Sequence, residues 1–354
     1  MKRSKLIFVA IVCILGVFVL KTVYNAGAFS SYPPHFEGLT QIIEGPTGVE
    51  DITIDQATGE GFLSAIDRRN PKTAIGQIYQ MQLEADSAQP SVMKIIGLAH
   101  DFKPHGLSLL KSGSKRFLFV VSHANQGDFI EKFEIKKDSL IHQKSFSDVS
   151  IVSPNDVVAV GENTFYFTND HDKKASFRRQ MDDYLQIATG GIVYFDGQKG
   201  IPVSESIGYA NGINVSNDGK YLYATSTTGR NLYIYSRKPD GNLTLLNKHD
   251  AKSGGLDNIE VDKSGILWIG THLNMLHFIT HAKDAAKRSE SAVLKIDIQS
   301  HEQPIILQEG VYVNNGDPIS GVSVGAFYLS KKQEHIILIG SVFEPKIVIA
   351  KRKI

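Results

Sequence analysis

The chain has 354 residues, of which 42% are hydrophobic and 21% are charged, a composition typical of globular proteins. Lys and Arg total 38, Asp and Glu total 37, and no basic stripe is present that could follow a phosphate backbone, so no nucleic-acid partner is expected. The one cysteine, Cys13, lies in an N-terminal apolar segment, which excludes a disulfide, a zinc–thiolate site or a cysteine nucleophile in the rest of the chain.

The N-terminus predicts a signal anchor. Three basic residues among the first five precede an uninterrupted apolar run from Leu6 to Leu20, which has the length of a signal-peptide core. The basic cluster predicts that the N-terminus stays in the cytoplasm and that the remainder is periplasmic or extracellular. An uncleaved membrane anchor over residues 1–21 is favoured over cleavage after Ala28, which would release a secreted protein. Residues 22–35 are expected to form a linker.

A repeated pattern dominates residues 36–354. Each copy has a polar start, an alternating strand, a turn and a second apolar strand, and helical periodicity is nearly absent. The clearest copies begin at Glu50, His105, Asn155, Asn211 and Asn258, which are 55, 50, 56 and 47 residues apart. A sixth, weaker copy begins near residue 320. Because this period matches a four-stranded blade, the sequence predicts an all-β fold, a six-bladed β-propeller.

The polar starts predict a metal site in the central channel. The first strand of each propeller blade lines that channel, so equivalent residues of successive blades converge there. These positions hold Glu50, His105, Asn155, Asn211 and the pair Asp257-Asn258. Carboxylate and amide oxygens around a narrow axis suit a hard cation, Ca²⁺ rather than Mg²⁺. The alternative is that Asn and Asp only favour the turn before each strand.

A second pair of acids predicts a second cation. Asp51 and Asp156 directly follow residues of the polar ring, so their side chains should point to the opposite face of the strand. Two inward acids behind the ring need a positive counter-charge.

Four of the 12 histidines occupy equivalent positions in the repeats. His105 starts an inner strand, whereas His123, His171 and His272 each close a second strand. A neutral imidazole near a metal can serve as general base, and the alternative is a structural histidine. The sequence contains no Gly-x-Ser-x-Gly, His-Glu-x-x-His or Walker motif.

One stretch has helical periodicity. Apolar residues from Phe177 to Ala188 recur on one face, with charged residues on the other. This helix could cover the channel mouth, rest on a membrane, or pack on the rim of the propeller.

The repeats also resemble the paraoxonase/arylesterase family. The motifs that carry the resemblance are Gly48-Val-Glu-Asp-Ile, Pro104-His-Gly-Leu-Ser, Pro154-Asn-Asp-Val-Val, Thr168-Asn-Asp-His, Ala210-Asn-Gly-Ile-Asn, Asp257-Asn-Ile, Trp268-Ile-Gly-Thr-His and Gly340-Ser-Val-Phe. They are collinear over nearly everything after the linker. The resemblance implies a six-bladed propeller with two calcium ions and a retained hydrophobic N-terminus that hydrolyses lactones and aryl esters, with phosphotriesterase side activity in some members.

The resemblance also implies roles for individual residues. The catalytic calcium would be held by Glu50, Asn155, Asn211, Asp257 and Asn258. The structural calcium would be held by Asp51, Asp156 and the carbonyl of Leu107. His105 and His123 resemble the family's catalytic dyad, and His171 and His272 match positions beside the substrate pocket.

Some features depart from the animal members. A disulfide of the animal enzymes has no counterpart here, because the comparable positions, near Leu39 and Ile349, are apolar. Closure of the ring is therefore expected to depend on strand pairing, and the chain is expected to be a distant, bacterial member. Two alternatives remain open: a calcium-stabilised scaffold without catalysis, and a gluconolactonase-type sugar lactonase.

Overall fold

The computed structural model describes residues 3–85, 87–174, 176–302 and 304–353. The first two residues of the predicted anchor, and Ile354 at the end of the predicted propeller, lie outside this range. Three helices are described: α1 (Arg3–Asn25), α2 (Phe177–Tyr184) and α3 (Met275–Lys283).

Twenty-five described strands form six antiparallel blades, which confirms the predicted propeller. Strand β1 (Leu39–Glu44) belongs to blade six, which the chain completes last. Blade one contains β2 (Val49–Asp55), β3 (Glu60–Ala65), β4 (Gln77–Gln82) and β5 (Ser91–Val92). Blade two contains β6 (Lys94–Ile96), β7 (Pro104–Ser112), β8 (Lys115–Ala124), β9 (Gly127–Lys136) and β10 (Ser139–Phe146), with β6 added in parallel to β10.

The next three blades follow the four-stranded pattern. Blade three contains β11 (Pro154–Ala159), β12 (Phe165–Asn169), β13 (Gly191–Phe195) and β14 (Gly200–Pro202). Blade four contains β15 (Ala210–Val215), β16 (Tyr221–Ser226), β17 (Asn231–Arg237) and β18 (Leu243–Asp250). Blade five contains β19 (Gly255–Val261), β20 (Leu267–His272), β21 (Ser291–Ser300) and β22 (Ile305–Asn314).

Blade six closes the ring by joining both ends of the propeller. Strands β23 (Val322–Leu329), β24 (Glu334–Ser341) and β25 (Lys346–Lys353) come from the end of the chain, and β1 pairs antiparallel with β25. Gln41 lies opposite Ile349 in this pairing. Pairing of β1 with β25 therefore closes the ring, as expected for a chain without the disulfide of the animal enzymes.

The hydrophobic core is divided among the gaps between blades. Six clusters of buried apolar residues are described, and each joins one pair of neighbouring blades. The gap between blades two and three, for example, contains the stacked rings of Phe165 and Phe195, with Phe146 edge-on to both. Burying one such side chain stabilises the fold by about 1.5–3 kcal/mol. Because the packing lies between blades, the channel is free to be polar.

Candidate metal centre and catalytic channel

The innermost strand of every blade loses its regular pairing at the polar ring. Each of these strands is paired before and after the ring residue, but the register shifts across it. The residues at the shifts are Glu50, His105-Gly106, Asn155-Asp156, Asn211-Gly212, Asp257-Asn258 and Ser323. A local break of this kind bends the strand and redirects side chains, and such breaks are common beside active sites.

Five side-chain oxygens of the ring are buried without a hydrogen-bond partner in the described parts of the chain. They are Glu50 Oε2, Asn155 Oδ1, Asn211 Oδ1, Asp257 Oδ1 and Asn258 Oδ1. Each unpaired buried polar atom costs free energy, and five in one channel require a common partner. An oxygen-only set of carboxylates and amides fits Ca²⁺. Among the described residues no three His, Cys, Asp or Glu side chains form a metal-binding group by themselves, so the asparagine amides are essential to this set.

The remaining polar atoms of the ring hold these oxygens in place. Asn258 donates from Nδ2 to Glu50 Oε1 at 2.9 Å, and Asn211 donates from Nδ2 to Thr227 Oγ1 at 2.9 Å. Asp257 Oδ2 lies 2.7 Å from His272 Nε2. Because each of these side chains is fixed through one polar atom, its remaining oxygen is left for a ligand.

The two predicted catalytic histidines are in direct contact. His105 Nδ1 lies 2.9 Å from His123 Nε2, and His123 Nδ1 lies 2.7 Å from Asp128 Oδ1. Asp128 can only accept, so His123 carries its proton on Nδ1 and accepts at Nε2 from His105 Nδ1. Burial and the nearby charge of His105 lower the pKa of His123, despite Asp128, which keeps His123 neutral. His105 Nε2 lies 3.3 Å from Glu50 Oε1 and lines the cavity, so it donates to this carboxylate when His105 is protonated and carries a lone pair when His105 is neutral.

Arg68 adjoins the ring and was not among the residues predicted from the sequence. Arg68 donates to the carbonyl oxygens of Gly48 at 2.9 Å and Pro104 at 3.1 Å and lines the channel mouth. Burial opposes ionisation of Glu50, but the charges of His105 and Arg68 outweigh it and lower the pKa of Glu50. Glu50 is therefore a carboxylate at neutral pH.

The second pair of acids lies behind the ring, as two buried carboxylates surrounded by backbone. Asp51 accepts from the backbone N–H groups of Ile52 at 2.8 Å and Leu107 at 2.6 Å. Asp156 accepts in the same way from Val157 at 2.7 Å and Ile213 at 2.8 Å. Each acid thus connects its own blade to the next one.

Among the residues that the structure describes, no basic side chain forms an ion pair with either carboxylate. Burial and the charge of Glu50 raise the pKa of Asp51 well above its usual range, and burial and the charge of Asp51 do the same for Asp156. Four backbone donors nevertheless favour the ionised forms. A bound cation would resolve this conflict.

Gly106 lies so close to Asp156 that the side chain of any larger residue at this position would collide with it.

The ring opens into a cavity of about 540 Å³ at one end of the propeller. Its floor contains Glu50, His105, Asn155, Asn211 and Asp257. Its walls are largely apolar and include Tyr184, Tyr209, Met275, Leu276, Phe278, Ile279, Val342 and Phe343. A concave apolar site with a few convergent polar groups is the usual form of a small-molecule site.

The end of α1 takes part in this cavity. Thr22, Asn25 and Ala26 line it, Asn25 Nδ2 donates to Gln186 Oε1 at 2.9 Å, and the Ala26 carbonyl accepts from the N–H of Met275 at 2.9 Å. The helix therefore extends to Asn25, into the segment expected to be a linker, and its end contacts the loop after α2 and, through Ala26, the first residue of α3.

Helix α2 presents its apolar face outward. Phe177 and Tyr184 are 78% and 54% exposed, whereas Asp182 is 5% exposed. The polar side holds the helix to the propeller, with Arg179 donating to Ser153 Oγ at 2.7 Å. Gln180, Asp183 and Tyr184 line the cavity, so α2 covers part of the channel mouth instead of packing its apolar face on the rim.

The two histidines expected beside the substrate pocket differ in position. His272 lines the cavity, bonds Asp257, and stacks on Phe278 with ring centroids 3.8 Å apart. His171 is buried behind the wall, between Asp170 Oδ1 at 3.1 Å and Asp183 Oδ1 of α2 at 2.9 Å. Burial opposes its protonation, but the two aspartates outweigh burial and raise its pKa to about 9. His171 thus ties α2 to the propeller as a cation.

The charge of His171 predicts a pH-dependent tether. Because its pKa rises on folding, its contribution to stability is full below its unfolded pKa, about 6.5, and is lost as the pH rises through about 9. His171→Gln should therefore lower the melting temperature relative to the wild type at pH 6, and the difference should shrink above pH 9. Thermal melts of both proteins across this pH range measure it. A difference that stays constant or grows would contradict the assignment.

Two further polar residues of the site were absent from the sequence predictions. Asp128 is brought beside His123 by the β8–β9 hairpin, in which His123 and Asp128 are paired residues. Ser323 is the sixth ring position and donates from Oγ to the Glu50 carbonyl at 2.6 Å. The sequence signal for Asp128 was an acid five residues after His123, across a tight turn. The sequence signal for Ser323 was the Ser-Val alternation in the weak sixth repeat.

Comparison with known proteins identifies the family. A family model described as "Arylesterase" matches residues 46–348. The chain belongs to the arylesterase family. It is 33% identical to serum paraoxonase/arylesterase 1 of Homo sapiens over 310 residues, 84% of each chain, and 32% identical to serum paraoxonase/arylesterase 2 of Rattus norvegicus over 277 residues, 76% of this chain and 75% of the relative.

Membership in the arylesterase family makes this chain a hydrolytic enzyme of the esterase and lactonase class. The fold is shared more widely. The calcium-binding protein regucalcin from Agrobacterium tumefaciens superposes with a TM-score of 0.54 at 15% identity, covering 91% of this chain and 98% of that one. This likeness concerns the propeller fold alone.

Proposed function

We propose that this arylesterase-family chain is a calcium-dependent hydrolase of lactones and aryl esters. The carrying observation is the set of five buried, unpartnered oxygens, four of which belong to residues that line the apolar cavity. Glu50, Asn155, Asn211, Asp257 and Asn258 would hold the catalytic calcium. When bound, calcium supplies a Lewis acid that polarises the substrate carbonyl and stabilises the oxyanion.

The histidine pair supplies the proton chemistry of the proposal. Asp128 fixes the tautomer of His123, and His123 accepts from His105, so that the lone pair of His105 Nε2 faces the cavity. Water beside Nε2 would lose its proton to His105 as it attacks the carbonyl carbon. His123 and Asp128 stabilise the resulting imidazolium, and the proton then passes to the leaving oxygen.

A second calcium would be structural. Asp51 and Asp156, with the carbonyl of Leu107, are its proposed ligands, because both carboxylates are buried and lack a counter-charge. The backbone of Leu107 lies beside the proposed site, because its N–H donates to Asp51. The same acids join blades one to two and three to four, so this ion would stabilise the contacts between blades.

The walls of the cavity indicate the substrate class. Met275, Leu276, Phe278 and Phe343 offer apolar surface above the ring. This favours aryl and aliphatic substrates over the hydroxyl-rich ring of a sugar lactone, the gluconolactonase alternative. Phosphotriester hydrolysis, the side activity that the family resemblance implies, is to be measured with the others.

A substrate panel tests the proposal. The full chain in detergent is the right material, because the end of α1 lines the cavity. We expect turnover of aliphatic lactones and phenyl acetate that is lost with a chelator and restored by Ca²⁺ but not Mg²⁺. Chelator-resistant turnover would reject the calcium proposal. Failure to turn over any ester or lactone with calcium present would favour the scaffold alternative.

We also propose that α1 anchors the enzyme in a membrane, with the propeller outside the cytoplasm. Residues Lys5–Asn25 form a helix whose most apolar 18-residue stretch has a mean hydropathy of 2.8 and is not buried in the described structure. This length and composition suit a membrane span, although signal sequences have the same character. The exposed apolar face of α2 lies at the same end of the propeller, near Asn25.

A reporter fusion tests this orientation. Because the basic cluster precedes the apolar helix, the C-terminus should lie outside the cytoplasm. A reporter fused there should be active only if it is of a kind that works outside the cytoplasm. Alkaline phosphatase and green fluorescent protein fusions give opposite signals and control for each other. Fluorescence of the latter with inactive phosphatase would overturn the predicted localisation. Fractionation of the full chain then separates an anchored protein from a cleaved, secreted one.

A further inference from the structure

A second cavity lies at the other end of the propeller. Its measured volume is 580 Å³, similar to that of the catalytic cavity, and it lies between blades five and six. The turns that border it are those between β2 and β3, β19 and β20, and β23 and β24, which are opposite to the channel mouth. Strand β20 connects the two places, because Trp268 lines the second cavity and His272 the catalytic one. Four residues of strand separate them by about 13 Å.

The wall of the second cavity is aromatic and fixed in place. Trp268 stacks on Phe327 with ring centroids 4.4 Å apart and planes 3° apart, and His335 lies edge-on to Phe327 at 5.2 Å. Trp268 Nε1 donates to the buried Asp262 at 2.9 Å. Asp262 also accepts from the backbone of the β19–β20 turn, so the indole is held by a rigid hairpin. The site is therefore formed before any ligand arrives.

The lining of this cavity contains more basic than acidic side chains, four against three: Lys263, Lys295, Lys331 and Arg352, and Glu37, Asp262 and Glu309. No ion pair within 4.0 Å is described for Lys263 or Lys295 among the residues that the structure describes. Arg352 pairs with Glu37 at 2.8 Å, and Glu309 lies opposite Lys295 in the β21–β22 ladder. Burial lowers the pKa of His335, the nearby charges of Arg352 and Lys295 lower it further, and the charge of Asp262 opposes them.

We propose that this second cavity binds an aromatic carboxylate, with the aromatic ring against the Trp268–Phe327 wall and the carboxylate at Lys295. An aromatic body suits the flat, apolar wall, and a single negative charge suits the unpaired lysines. The proposal does not depend on the hydrolase activity or on calcium, because no residue of the ring contributes to this cavity.

Trp268 makes the proposal directly measurable. It is the single tryptophan of the chain, so tryptophan emission reports on this cavity and no other. The probes are phenylacetate, the neutral phenylacetamide and the non-aromatic cyclohexylacetate, titrated into the calcium-loaded full chain. We expect phenylacetate to change the emission saturably and to bind roughly tenfold more tightly than either analogue, a difference of about 1.4 kcal/mol. No saturable change, or equal binding of the acid and the amide, would overturn the proposal.

Two lysine variants locate the binding. Lys295→Gln should weaken phenylacetate binding by roughly threefold to tenfold while binding of phenylacetamide stays the same. Lys283→Gln is the matched control, because Lys283 lines the catalytic cavity. Circular dichroism and melting curves establish that both variants are folded. If Lys283→Gln weakened binding and Lys295→Gln did not, the carboxylate would occupy the catalytic cavity and the second site would be rejected.

Discussion

Replacing His105 with glutamine should lower kcat for lactone hydrolysis by roughly 10²–10⁴-fold, the usual contribution of a general base. Glutamine keeps a polar side chain of similar reach but has no basic nitrogen. The five unpartnered oxygens of the ring belong to other residues, so calcium affinity should change little. Steady-state kinetics with a lactone, together with a calcium titration of the same preparation, measure both.

The control for this variant is His249→Gln. His249 is a histidine of blade four whose Nε2 lies 3.0 Å from Gln308 Oε1 at an exposed contact. It should keep wild-type kinetics. If His105→Gln also kept near-full activity, the dyad assignment would be wrong and Glu50 would be the better candidate for the base.

Asp128→Asn separates the tautomer from the charge. An asparagine amide can donate to His123 Nδ1, which would move the proton of His123 to Nε2 and end its role as acceptor for His105. We expect a lower kcat with unchanged calcium binding. A wild-type pH–rate profile for this variant would show that Asp128 has no part in orienting the pair.

Removing calcium should destabilise the protein strongly. A ligand that binds only the folded state adds about 4 kcal/mol at a thousand times its Kd, and two sites are proposed. Metal analysis after dialysis against calcium should find two ions per chain. Thermal melts with calcium and with a chelator then measure the stabilisation.

Two variants should separate the contributions of the two proposed calcium sites to activity and to stability. Asn211→Ala removes one of the unpartnered ring oxygens, so its activity should fall and recover in part with excess calcium. Asp156→Asn removes a charge behind the ring, so its loss should appear mainly as a smaller calcium-dependent rise in melting temperature. If both variants lost the same share of activity and of stability, the two oxygen clusters would be serving a single ion.

The propeller and its polar ring could be predicted because both follow from a repeat in the sequence. Glu50, Asn155 and Asn211 recur at one place in successive copies, and a ring of blades brings equivalent places together whatever the details of the loops. The shift of strand register at each of these residues could not be predicted. It depends on backbone contact between neighbouring blades, which leaves no local pattern.

Other parts of the site depend on tertiary context in the same way. The apolar face of α2 was recognised, but its direction was not, because the bonds from Arg179 and Asp183 to the propeller decide which side faces inward. Asp128 and Arg68 sit at turns between strands, and no repeat marks them. The residues between Leu20 and Asn25 have the composition of a linker boundary, yet contacts with Gln186 and Met275 place them at the cavity.

The pairing of β1 with β25 also determines the order in which the molecule can be completed. The strand that meets residues 39–44 is made of residues 346–353, so the ring stays open until almost the whole chain has been synthesised. The polar channel needs all six blades, so the proposed calcium site would be complete only after this last pairing. An anchored chain with its propeller outside the cytoplasm, as proposed above, would then fold and meet calcium on the far side of the membrane. Under that proposal, calcium binding would be tied to arrival in a calcium-containing compartment.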